Sequence, residues 1–237
     1  MVAVEVRNLV KRYRDTVAVK GVSFDVKSGE IFGIIGPNGA GKTTILRILS
    51  TLLRVTSGSV KILGYDVERE AGEVRKLIGY LPEDAGAYRN LTGREYLRFI
   101  ANFFTRDKVD ELVERGVSIA KLGSRIDDKI DDYSKGMKRR LLIGRTLMSK
   151  PRLAVLDEPT AGLDVQNAQE IRRIIKDSVK NGATVVLSSH NMLEVEYLCD
   201  RIILLDKGVI VEEGTPSGLM ERYQARNIEE VFMSVVS

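Results

Sequence analysis

The chain has one cysteine, one histidine, no long apolar run, little net charge and no internal repeat. A single cysteine, Cys199, excludes an internal disulfide and fits a reducing compartment; in its apolar, helix-like stretch it reads as a small buried hydrophobe. No segment approaches the apolar length of a transmembrane helix. The opening residues Met1 to Arg7 read as a strand and lack the long apolar region of a secretion signal. A formal charge of +4 suits an anionic ligand or a membrane surface, but it is too small and too scattered to argue for nucleic acid. Low-complexity segments and flexible linkers are missing too. What is left is an ordinary globular composition, 43% hydrophobic and 30% charged over 237 residues, enough for one large domain or two small ones.

Against this background one stretch stands out. Gly36, Pro37, Asn38, Gly39, Ala40, Gly41, Lys42, Thr43 and Thr44 fit the pattern G-x-x-x-x-G-K-[ST] without a mismatch. They follow the apolar run Glu30 to Ile35 and precede a helix expected over Thr44 to Leu53. Glycines let the backbone turn its N–H groups inward as an anion-binding nest, and the helix adds the positive end of its dipole. Lys42 can then reach the β- and γ-phosphates of a nucleotide, and the Thr43 hydroxyl is placed to ligate Mg²⁺. The pattern predicts binding of a nucleoside triphosphate.

The surrounding chain alternates strands and helices. Residues 2 to 35 read as strands, with Val4, Val6, Val22, Phe24 and Val26 as apolar teeth. Tyr13 among them could stack on a nucleobase or simply face solvent. Strands are expected at Ser59 to Leu63, Ile78 to Leu81, Leu153 to Leu156, Thr184 to Ser188, Arg201 to Asp206 and Val209 to Glu213. Residues 82 to 86 must be a loop, since Pro82 and Gly86 oppose helix. From about 90 to 150 the pattern is helical without strands. It opens on the capping-box sequence Thr92-Gly93-Arg94-Glu95, with Tyr96, Leu97, Ile100, Phe103 and Phe104 at helical spacing. That aromatic face reads most simply as core, and any part left exposed would be a docking surface.

Three further groups carry chemistry. Asp157 and Glu158 end an apolar strand, where an aspartate can hold Mg²⁺ and the next carboxylate can polarise an attacking water. His190 stands at the carboxyl end of another strand, the edge at which open α/β sheets gather ligands. It could hydrogen-bond the γ-phosphate and hold Glu158 in position. Ser134 to Met137 open a basic helix and offer a second phosphate-binding end. One chain needs only one such nest, so the second points to a dimer with nucleotide between subunits.

With these residues assembled, the chain resembles the nucleotide-binding subunit of ATP-binding-cassette (ABC) transporters over nearly its whole length. Gly36 to Thr44 match the family's Walker A motif, Leu153 to Glu158 its Walker B motif with catalytic glutamate, and Tyr13 its base-stacking aromatic. Ala161-Gly162-Leu163-Asp164 match the D-loop, and His190 the switch histidine. Tyr133-Ser134-Lys135-Gly136-Met137 occupy the place of the LSGGQ signature, keeping the serine and the fourth-position glycine. Glu83 stands where the family has the Q-loop glutamine, adding a negative charge near the phosphates while still able to approach the metal. Both departures, and the closing Asn227 to Phe232, are similar to the branch that serves small export-type permeases.

The resemblance implies an α/β P-loop NTPase core with a mixed sheet, an N-terminal antiparallel β-subdomain and a helical insertion. The core would cover about 1–89 and 151–215, the insertion about 90–150, and a helical tail 216–237. It implies ATP and Mg²⁺, with Thr43, Asp157 and Glu83 toward the metal and Lys42, Glu158 and His190 catalytic. The implied partners are a second copy or paralogue and an integral membrane permease, with the chain on the cytoplasmic face of the membrane and no nucleic acid bound. A soluble ABC ATPase in a role such as iron–sulfur cluster assembly is the alternative.

Overall fold

The computed structural model describes residues 1–236, with the side chains of 193 and 194 left aside; residue 237, the end of the expected tail, lies outside the described residues. Two sheets form the frame. Strands β1 (Val2–Tyr13), β2 (Thr16–Lys27), β4 (Ser57–Ile62) and β5 (Tyr65–Asp66) make an antiparallel sheet in the order β2-β1-β4-β5. The second sheet runs β10-β9-β3-β8-β7-β6, from β3 (Ile31–Ile35), β6 (Ile78–Leu81), β7 (Leu153–Leu156), β8 (Thr184–Ser189), β9 (Arg201–Asp206) and β10 (Val209–Gly214). Its five neighbouring strands β9 through β6 pair in parallel and β10 joins β9 antiparallel, so the sheet is mixed.

Strands β3, β7 and β8 are buried along their whole length, because this sheet is covered on both faces. Alternation divides their side chains between two cores. Phe32, Ile34, Val155 and Val186 join the antiparallel sheet and helix α1 (Lys42–Leu49). Ile31, Ile35, Ala154, Leu156 and Leu187 join a helical layer on the other face. That layer contains α3 (Gly93–Ala101), α4 (Val109–Ala120), α5 (Lys135–Leu147) and α6 (Val165–Lys180). Short α2 (Ala71–Leu77) precedes β6, and α7 (Met192–Leu198) links β8 to β9. Helices α8 (Pro216–Tyr223) and α9 (Ile228–Val236) close the described chain.

Local chemistry sets the helix starts. Thr92 and Glu95 form the expected capping box, each side chain accepting from the other's backbone N–H. Asp164 caps α6 by accepting from Asn167 N–H at 2.9 Å, and Ser134 caps α5 by accepting from Met137 N–H at 3.2 Å. One expectation fails: Tyr96 and Leu97 are core, but Phe103 is 74% exposed and Phe104 is also exposed. The reason is geometric, since α3 ends at Ala101 and both phenylalanines fall on the turn beyond it.

Candidate active site

The loop between β3 and α1 leaves the centre of the six-stranded sheet at its carboxyl edge. Helix α1 begins behind Gly41, whose φ of 109 needs glycine; a Cβ there would also lie 2.6 Å from the Ala18 carbonyl oxygen. At Gly36 a Cβ would lie 2.1 Å from the Leu205 carbonyl oxygen, so the loop can lie against β9 only without a side chain. The α1 N-terminus has no side-chain cap and no acidic residue in its first turn. Its leading N–H groups have no acceptor within the helix, which leaves an electropositive cradle for an anion.

Lys42, Asp157, Glu158 and Arg139 form a buried charge cluster, respectively 5%, 1%, 4% and 8% exposed. Two positive and two negative groups out of water must compensate one another. Lys42 Nζ donates to the carbonyls of Gly36 at 2.8 Å and Pro37 at 3.1 Å, and lies 3.5 Å from Glu158 Oε1. The Thr43 hydroxyl donates to Asp157 Oδ1 at 3.3 Å, which brings together two expected metal-facing groups, one from the first turn of α1 and one just after β7. A hydroxyl and a carboxylate are hard oxygen donors, the kind Mg²⁺ takes in small number beside phosphate oxygens.

Glu158 sits on the turn after β7 with φ 48, a left-handed conformation that costs a non-glycine residue about 1 kcal/mol. Contacts at both ends hold it. Its N–H donates to Ser188 Oγ at 2.9 Å, and its carbonyl accepts from Arg139. Its Oε2 lies 2.8 Å from His190 Nδ1, whereas Oε1 is buried without a hydrogen-bond partner among the described residues. That buried oxygen beside Lys42 is where a reacting water or phosphate hydroxyl would fit. His190 is half exposed, so its second ring nitrogen remains available to a ligand.

Tyr13, from the antiparallel sheet, reaches the same edge with its hydroxyl 3.5 Å from Thr44 Oγ1 and its ring exposed. Lys11 Nζ lies over that ring, 5.2 Å from its centre. Glu83 joins through its main chain, its carbonyl accepting from Arg139 at 3.2 Å; its exposed side chain borders a cleft of about 470 Å³. Ser134 and Lys135 stand exposed at the start of α5. Gly136 behind them is buried, and a Cβ there would lie 2.3 Å from the Asn167 side chain, so packing demands glycine too.

Two residues of the cluster had no place in the sequence reading. Ser188 donates to Asp157 Oδ1 at 2.5 Å while accepting from Glu158 N–H, and only strand pairing brings it there. Arg139 looked like one of several cations on a basic helix. Its position three residues after Gly136 and three before Leu142, both buried, was the available signal. Burial lowers its pKa, while the neighbouring Glu83, Asp157, Glu158 and Asp84 charges raise it.

Comparison with known proteins agrees with this geometry. Residues 19–161 match the family model described as ABC transporter. The chain is 37% identical to the linearmycin resistance ATP-binding protein LnrL of Bacillus subtilis, over 98% of this chain and 76% of that protein. It is 36% identical to the Nod factor export ATP-binding protein I of a Rhizobium species, over 98% of this chain and 77% of that one. Among solved structures, an ATP-binding subunit of an ABC transporter superposes with a TM-score of 0.87 at 27% identity, covering 99% of this chain and 100% of that one. A dimeric post-hydrolysis cassette, MJ0796 with ADP and Pi, superposes at 0.80 with 28% identity, covering 90% and 98%.

Proposed function

Because the chain belongs to the ABC transporter family as an ATP-binding subunit, we propose that it hydrolyses ATP between two copies and so drives a separate export permease. In each site Lys42 and the 36–44 loop of one copy hold the phosphates, and Ser134 and Gly136 of the other close over them. Tyr13 stacks on the base. Thr43 and Asp157 would hold Mg²⁺, with Glu83 approaching from the neighbouring loop. The metal, when bound, offsets negative charge on the phosphates.

The carrying observation is the Glu158 carboxylate, with one oxygen tied to His190 and the other buried beside Lys42. A carboxylate so placed can orient a water and accept its proton. Lys42 releases the Gly36 and Pro37 carbonyls to meet the phosphate charge. His190 keeps Glu158 aimed through Nδ1 and reads the γ-phosphate through its other nitrogen. These groups position and neutralise rather than form covalent intermediates, so closing the dimer completes the catalyst.

Export rests on the relatives, named for linearmycin resistance and Nod factor export; none of those quoted favours the iron–sulfur alternative. Contact with the permease falls to the exposed aromatics Tyr88, Phe99, Phe103 and Phe104 beside the 82–86 loop, on the cytoplasmic side of the membrane. Tyr88 and Phe99 meet edge to face at 5.4 Å, and Phe99 and Phe103 at 5.3 Å, an apolar ridge suited to a permease helix. Among the described residues no helix is long and apolar enough to cross a membrane. The test is Glu158→Gln: it should bind ATP, turn over slowly and accumulate as a dimer with ATP and Mg²⁺, and a monomer under those conditions would count against the reading.

A further inference from the structure

Helix α5 carries a cation that none of the motifs above calls for. Arg139 is buried on the stripe it shares with Gly136, Leu142 and Ile143. Its guanidinium donates to four main-chain carbonyls on two separate loops. On one side are Pro82 at 3.4 Å and Glu83 at 3.2 Å; on the other are Pro159 at 2.9 Å and Glu158. Only a planar fork of five N–H donors can span such a set, and a lysine ammonium cannot. One of the four carbonyls belongs to Glu158, whose left-handed backbone persists only where its surroundings hold it. Acidic groups gather round the same cation: Glu83 and Asp84 on the loop, Asp157 and Glu158 on the strand end. The first turn of α5 presents Ser134 outward. One helix thus joins the end that meets the partner copy to the loops of its own site.

We propose that Arg139 is a positioning residue for ATP hydrolysis: it ties the 82–83 loop to the main chain of Glu158, and its charge makes a carboxylate at position 83 tolerable. The inference rests on Glu158 acting on water as described above. A shift of the 82–83 loop pulls on Arg139 and, through it, re-aims Glu158. Loss of the guanidinium removes the buried cation shared by Glu83, Asp84, Asp157 and Glu158, leaving Lys42 and His190 beside Glu158.

Steady-state hydrolysis and ATP binding by the purified full chain test this with Arg139→Met, Arg139→Lys, Glu83→Gln and the pair Arg139→Met/Glu83→Gln. Arg139→Met should lower kcat by about tenfold or more while KM for ATP stays within about twofold, because the phosphate cradle is untouched. Arg139→Lys keeps the charge but loses the fork, so its kcat should fall between the two. Adding Glu83→Gln to Arg139→Met should restore kcat by about threefold or more, whereas the same change in the native background should not raise it. A purely structural arginine would show no such rescue. Should Arg139→Met fail to fold, Arg139→Lys carries the test: lower kcat at unchanged KM supports the proposal, and native kcat overturns it. Native kcat in Arg139→Met, or no rescue by Glu83→Gln, overturns it alone. A native chain unable to hydrolyse ATP would bring down the reading of Glu158 and this proposal together.

Discussion

Two regions of the molecule treat their polar and apolar groups in opposite ways. At the carboxyl edge of the six-stranded sheet, Lys42, Asp157, Glu158 and Arg139 are withdrawn from water and tied to one another or to carbonyls. On the helical layer, Tyr88, Phe99, Phe103 and Phe104 stand in solvent, with Phe99 a ring neighbour of both Tyr88 and Phe103. The first arrangement is costly unless it serves charge developing on a ligand, and the second is costly unless another surface covers it. On the proposed reading chemistry lies on the first face and coupling on the second, with α5 and the 82–86 loop between them.

The comparison can be broken most forcefully at the sheet edge. Lys42→Ala should abolish hydrolysis, by roughly a hundredfold or more, since a preorganised phosphate donor is lost; native turnover in a coupled-enzyme assay would remove the loop from the site. His190→Ala should cut kcat on the order of tenfold to a hundredfold and leave ATP binding intact, because Glu158 loses the donor on Oε2. Unchanged turnover would make the histidine structural.

On the other face the expected effect falls on partnership. Phe103→Ser should leave hydrolysis by the isolated chain within about twofold, since the side chain is exposed on the turn after α3. Permease capture from detergent-solubilised membranes should drop sharply, and undiminished capture would place the docking surface elsewhere. The smallest effect concerns the helix that presents the ridge. Thr92→Ala removes half of the capping box and should lower stability by about 1 kcal/mol in denaturant titration, with kcat unchanged. A fall in kcat would show that α3 reaches the chemistry as well.

The two faces were not equally legible from sequence. Glycines, a lysine and two threonines in a fixed pattern can do little except cradle phosphate. The order of strand, loop and helix around Lys42 was therefore readable, although α1 starts two residues earlier than expected and ends four earlier, at Leu49. β6, β7 and β9 lie at their expected bounds because each is a short apolar run between clear breakers. Phe103 and Phe104 were misread as core because helical spacing reports which residues share a face, not where the helix stops. Arg139 and Ser188 stayed hidden for a different reason. Their partners are carbonyls and carboxylates on distant strands, and pairing of β6, β7 and β8 creates the contacts.

The central claim is that a second copy supplies the other half of each nucleotide cage. Its most direct measurement is the hydrolysis rate per chain over a wide dilution series, with the mass of the species followed in parallel. The account predicts that the rate per chain falls as pairs dissociate. A constant rate in a species that stays single throughout would contradict it.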